Sequence, residues 1–315
     1  MRSPVRSCAV FLALATGAAA AAEAEVAVEA PSAPSPASNP NDLGFDATIL
    51  GTVQRFGGLL DLRAHFRHRL YESTDEAFSD NYLGVSLVNQ VAPILIHSGA
   101  QVDFAPTSFL RVSGGYQFVG YFGTLGTLRT ATGCHGAGAL SATDLTCNYR
   151  PDTGDAAGLG GLGHRAFVEL ALQAKLGRFL FFGGARLERW WMQPLGDSSH
   201  ADYWVNELYG LPQAMADTVF TGGGAVLFEA ITEAPGRPQL LIGAVDDVMY
   251  ASTADVLLHR VGPAAILRIP KWKGLRELTL TGAVQFYTHE RYLAGQVPFI
   301  VLALSGSTAN LLGTP

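Results

Sequence analysis

Between Gly57 and Tyr71, polar and charged side chains fall on every second residue: Asp61, Arg63, His65, Arg67 and Arg69. Leu60, Leu62, Ala64, Phe66 and Leu70 occupy the intervening places. The split recurs further on, where Arg165, Glu169, Gln173 and Lys175 alternate with Ala166, Val168, Leu170, Leu172 and Leu176. Asp103, Arg111, Arg186, Glu188, Arg260, Glu277, Gln285, His289 and Arg291 fall on the polar faces of other such stretches. Charges of both signs brought to one face can do two things. They can pair with one another and fill a narrow space, or line an aqueous path and select solutes by charge.

Bond-making chemistry is less legible. His97 and Ser98 are adjacent, so on a strand they point to opposite faces. No G-x-S-x-G turn occurs, and neither Ser305-Gly306-Ser307 nor the histidines His259 and His289 form a recognisable nucleophile–base spacing. Cys134, His135 and Cys147 have the wrong spacing for a zinc motif. With no dinucleotide or phosphate-loop fingerprint either, no cofactor or metal is expected. The chain is not read as an enzyme.

The elements that must position these residues are strands. Arg276 to Tyr292 alternates through most of its length: Leu278, Leu280, Val284 and Phe286 are apolar, while Glu277, Thr279, Thr281, Gln285 and His289 are polar. A period of two over that span means one extended strand with two opposite faces. It exceeds the roughly 5–6 residues usual in soluble proteins and reaches the roughly 9–11 needed to cross a bilayer at a tilt.

The front of the chain supports a membrane setting. Arg2 and Arg6 precede the apolar stretch Cys8 to Ala22, whose alanines offer several A-x-A sites. Residues 1–22 read as a cleaved secretory signal. Residues 23–45, rich in Ala, Pro and Ser, read as a disordered periplasmic leader, leaving 46–315 as one domain. Charged residues are 15% of the chain and glycine is 36 of 315. After the signal there is no apolar run long enough for a transmembrane helix. An exported, apolar, glycine-rich chain of this kind points to a closed barrel, because lipid tolerates only helices and closed barrels. The net charge of −6 gives no sign of nucleic-acid binding. Cys134 and Cys147 lie in the longest loop, where an oxidising compartment would pair them.

Ten strands are expected: 57–71, 82–104, 109–123, 163–177, 179–192, 217–231, 238–251, 256–270, 275–292 and 297–308. The apolar phase slips at Val91-Ala92-Pro93, which a β-bulge in one strand or a tight turn between two would produce. The turn raises the count towards twelve. Trp190, Trp191, Tyr203, Trp204 and Tyr209 gather at strand ends and suit a membrane–water girdle, with loop packing as the competing reading. Short turns after Ala105, Gly177, Ile231 and Pro270 alternate with longer loops after Gly123 and Met192, and an even count puts both termini on the periplasmic side.

On these features, with the unit F-A-P-T-S-F-L-R-V-S-G-G-Y-Q-F-V-G-Y-F-G from Phe104 as its clearest stretch, the chain resembles bacterial outer-membrane β-barrel proteins. The resemblance implies an all-β, closed antiparallel transmembrane barrel in the outer membrane, in contact with lipid and the assembly machinery. The final residues Leu311 to Pro315 lack the terminal aromatic usual in such barrels, so the assembly signal is expected near Phe299. Two functions follow for the lumen. One is a structural barrel filled by its own ion pairs. The other is a narrow pore whose basic ladder on the first strand favours anionic solutes. The alternative from another class is an outer-membrane lipid or ester hydrolase with its site at the barrel surface or rim.

Overall fold

The computed structural model describes residues 40–52, 57–122, 130–131, 160–195, 203–206, 209, 211–232, 234, 237–270, 275–289, 298–308 and 310–311. The expected signal, most of the leader, Cys134, Cys147 and Arg291 lie outside them.

The strands are β1 (Asn41–Thr52), β2 (Gly57–Arg69), β3 (Tyr82–Val91), β4 (Leu95–Thr107), β5 (Leu110–Phe122), β6 (Thr130–Ala131), β7 (Gly160–Leu176), β8 (Phe179–Pro194), β9 (Tyr203–Asn206), β10 (Leu211–Ala214), β11 (Ala216–Ile231), β12 (Gln239–Ala251), β13 (Val256–Pro270), β14 (Leu275–His289) and β15 (Phe299–Thr308). All but β6, β9 and β10 form one closed antiparallel barrel, in which β1 pairs with β15. The barrel therefore has twelve strands, not ten.

Two differences account for the change. Pro93 and Ile94 form a tight hairpin, with the Ala92 N–H donating to the Leu95 carbonyl at 2.9 Å and the Leu95 N–H to the Ala92 carbonyl at 3.3 Å. The phase slip there is a turn, not a bulge. The second difference is β1, which begins inside the segment expected as leader. Gly44, Asp46, Thr48 and Leu50 are buried along one face, with Phe45 and Ile49 exposed on the other. Its short alternation follows directly on the Pro- and Ser-rich stretch, and that composition hid it.

The start of β1 and the end of β15 sit at one end of the barrel. Asn310 ties the seam: its Oδ1 accepts the Leu43 N–H at 3.2 Å and its Nδ2 donates to the Asn41 carbonyl at 3.0 Å. The opposite end carries the connections 123–159 and 195–215, the longest in the barrel, so it is the extracellular end in a barrel of this type.

The outer wall is apolar around the circumference. Ile49, Leu87, Phe118, Val168, Leu187, Val226, Leu280 and Leu302 all point out and are exposed. A continuous apolar band on a closed barrel has one compatible solvent, the lipid interior. At the periplasmic end Phe45, Phe66, Phe104, Phe109 and Phe179 form an exposed aromatic row. The expected girdle of tryptophans and tyrosines is not there. Trp190, Trp204 and Tyr209 are buried, and of that group only Trp191 faces out. Period two explains the split, since neighbours on one strand must take opposite faces.

Curvature requires glycine at particular points. A Cβ at Gly243 would fall onto the Val226 carbonyl oxygen, and one at Gly262 onto that of Val284. At these positions the wall bends too sharply for a side chain. The two-residue turn between β7 and β8 uses Gly177 at φ 61°, a left-handed conformation that glycine adopts without strain. Gly243→Val and Gly262→Val are therefore expected to abolish the folded band that migrates apart from the boiled form in detergent gels. Gly51→Ala, whose Cβ would meet nothing closer than 4.0 Å, should leave it intact.

Candidate functional site, the barrel lumen

Inward-facing residues build three connected regions. The first is an ion-pair chain on β5, β7 and β8. Glu169, Arg186 and Glu188 fall on the inward faces of adjoining strands because their parities match across the register Glu169↔Arg186. The Arg186 Nε donates to Glu169 at 2.7 Å, and Arg111 approaches the same carboxylate at 3.4 Å. Arg186 lies 3.5 Å from Glu188, and Arg165 lies 3.7 Å from Glu188 on its other side. Arg165 also donates to Gln117. Glu188 accepts hydrogen bonds from the Trp190 indole and the Tyr209 hydroxyl, both at 2.6 Å. Arg165 and Glu188 are wholly buried. Burial, first, and the Glu188 carboxylate, second, hold the Tyr209 phenol well above its ordinary pKa, so it stays a hydrogen-bond donor.

The second region balances the first strands. His65 lies 2.8 Å from Asp46 and 3.7 Å from Asp42, both on β1. Asp61 accepts from Gln90 at 2.7 Å, and Asp103 accepts from Gln101 at 2.7 Å and Ser113 at 2.6 Å. Arg63 is buried among them, while Arg67 is half-buried over the Tyr82 ring at 5.0 Å and Arg69 is half-buried nearer the rim. On the opposite wall Asp247 holds Arg260 through two bonds, of 3.0 and 2.8 Å, and accepts from Gln285 at 3.2 Å. Lower down, Glu229 meets Lys175 at 3.3 Å and Gln239 at 2.6 Å, and Gln239 accepts from Arg268. Glu277 lies 4.0 Å from Arg268 and accepts from Thr279.

The third region is an apolar layer at the extracellular mouth. The β9–β10 hairpin packs against β11, β12 and β13. Its Tyr203, Trp204, Leu211 and Ala214, together with Tyr209, join Leu50, Leu95, Tyr121, Trp190, Met249, Leu258, Phe299 and Val301 in one buried apolar cluster. Residues of this layer come from both sides of the barrel seam. Trp190 and Trp204 pack at 5.7 Å and Tyr121 meets Trp204 at 5.7 Å. Each such aromatic pair contributes about 0.5–1.5 kcal/mol beyond its buried area. Asp217 fixes the hairpin: its carboxylate accepts the N–H groups of Ala214, Thr218, Thr253 and Ala254 at 2.7–3.2 Å.

The structure thus places Asp61, Arg63, His65, Arg67, Arg69, Asp103, Arg111, Arg165, Glu169, Lys175, Arg186, Glu188, Glu277 and Gln285 on the inner face, as their parity requires. His289 is the exception. The register shifts between Arg260↔Tyr287 and His259↔His289, so β14 bulges at Thr288 and His289 turns outward, exposed. Alternation cannot show a bulge with polar residues on both sides of it. Phe299 points inward, with Arg260 4.2 Å above its ring. Sequence reasoning missed Asp42 and Asp46, hidden with β1, and Asp247, Glu229, Gln239 and Arg268, whose parity on β11–β13 was available as a signal.

No family model and no curated protein matches the chain. Among solved structures it is similar to the beta domain of the Bordetella autotransporter BrkA (TM-score 0.47, 11% identity, covering 86% of this chain and 100% of that one). It is also similar to LpxR from Salmonella typhimurium (0.41, 7%, 84% and 99%) and to the KdgM porin in complex with disordered oligogalacturonate (0.38, 8%, 84% and 98%).

Removing one partner from a buried pair leaves its counter-charge uncompensated, at about 3–5 kcal/mol. Glu188→Ala removes the carboxylate that Arg165 and Arg186 share, while Arg186 keeps Glu169. The variant's unfolding free energy, from urea titration in detergent micelles, should fall by an amount in that range, whereas Leu187→Ala on the lipid face should cost far less.

Proposed function

We propose that the protein is a closed outer-membrane barrel, structural in character, whose lumen is filled by its own side chains and passes no solute in this state. The apolar layer across the extracellular mouth carries this reading, because a hydrophobic constriction excludes water and ions together. The ion-pair chain beneath it supports the same reading. Its charges face one another at short range.

The pairing also bears on the anionic-pore alternative. The basic ladder of β2 stands against Asp42, Asp46, Asp61 and Asp103, so the field at that level is balanced instead of positive. An anion pathway needs unpaired cations along its length.

Planar-bilayer recording tests the proposal. The wild-type protein should show no conductance steps in any salt, and the double variant Trp204→Ala, Tyr209→Ala, which breaks the mouth layer, should open them. Steady wild-type steps with anion selectivity that falls in Arg63→Ala and Arg67→Ala would establish the pore instead.

A further inference from the structure

Asp246, His259 and Thr288 come from three neighbouring strands and meet on the outer face. The His259 Nε2 lies 2.5 Å from an Asp246 carboxylate oxygen, and its Nδ1 is hydrogen-bonded to the Thr288 hydroxyl. The Thr288 hydroxyl also lies 3.4 Å from the His259 carbonyl, the longer of its two contacts. The carboxylate selects one arrangement: Nε2–H donates to Asp246, and Nδ1 is left to accept the threonine proton. This is the relation of hydroxyl, base and orienting acid that nucleophilic catalysis needs. It rests on the geometry of the outer wall, independently of the lumen.

Three further observations separate the cluster from an ordinary surface pair. The first is its position. Asp246 stands between Ala244 and Val248 on the lipid side, and Leu257, Val261 and Phe286 surround the group as exposed apolar residues. Ionisable groups on a lipid-facing wall are costly and mark function. The second is the bulge at Thr288, which breaks the β13–β14 register just where the hydroxyl is set against His259. Bulges re-aim side chains in this way beside active sites. The third is access. The side chains of His259 and Asp246 are 35% and 54% exposed, so the group opens outward to the outer leaflet instead of into the filled lumen.

The geometry points to an acyl-ester hydrolase site on the outer wall, with Thr288 as nucleophile, His259 as general base and acid, Asp246 as orienting carboxylate, and a membrane lipid as substrate. Thr288 Oγ1 attacks the ester carbonyl carbon as its proton passes to His259. The tetrahedral intermediate collapses, the C–O bond to the lipid alcohol breaks, and His259 returns the proton to that leaving oxygen. Water, deprotonated by His259, then attacks the acyl–Thr288 ester. It releases a fatty acid and restores the hydroxyl, so one ester and one water become one acid and one alcohol. The exposed apolar side chains around the cluster receive the acyl chain, and the register sets His289 opposite His259 on the same face, a second imidazole for the developing oxyanion.

The test is fatty-acid release from phospholipid in mixed micelles with the full-length protein. Release should be measurable for the wild type and fall at least about 100-fold in Thr288→Val and in His259→Asn, as removal of a nucleophile or its base does. Thr288→Ser should retain it, and a long-chain sulfonyl fluoride should be recovered on Thr288 by mass spectrometry. Heat-modifiable migration of each variant reports that the barrel is intact. No release by the wild type, or release unchanged in both Thr288→Val and His259→Asn, would overturn the assignment.

Discussion

The pairing of buried charge is the constraint on which the rest of the structure depends. A barrel with a lipid-compatible exterior must send its polar side chains inward, and here many of them are buried. Each charge then needs a partner at short range. Glu169 lies between Arg111 and Arg186, Glu188 between Arg186 and Arg165, and Asp247 against Arg260. Such pairs add little net stability, but breaking one is costly. A strand that slipped by one residue would turn its charges into lipid and leave their partners alone.

The wall's shape and the apolar layer at the mouth serve the same constraint. Gly243 and Gly262 let the sheet bend where a side chain would strike the next strand, so that β12 and β13 can carry Asp247 and Arg260 to the interior. The β9–β10 hairpin covers the top of the network with Trp204 and delivers Tyr209 to Glu188, so the apolar layer and the polar chain are joined through one phenol. Asp217 anchors the hairpin's end with four backbone N–H groups and keeps the cover in place.

Much of this was legible in the sequence because period two survives folding unchanged. The strand from Glu277 to Phe286, the ladder from Asp61 to Arg67 and the pair Arg186 and Glu188 take the faces their parity assigns. Three kinds of information were not legible. The first strand was masked by the composition of the stretch before it. The hairpin at Pro93 and Ile94 and a bulge produce the same phase slip, and only the hydrogen bonds between Ala92 and Leu95 separate them. The direction of the aromatic loop residues is a tertiary fact: nothing local says that Trp204 folds into the mouth while Trp191 faces out. The outer-wall cluster belongs with these. Asp246, His259 and Thr288 have no sequence spacing that signals a site, and the bulge that aligns them also carries His289 from the expected inner face to the outer one.

The central claim is that the lumen is dry and paired. Ser113, buried on β5 against Asp103, offers a nearly isosteric place to test it. The measurement is the rate at which a water-soluble thiol reagent modifies Ser113→Cys in the folded barrel, with Cys8, Cys134 and Cys147 replaced by serine. Protection until the barrel is unfolded in urea is the predicted result; modification of the folded protein as fast as of the unfolded chain would show an aqueous lumen and contradict it.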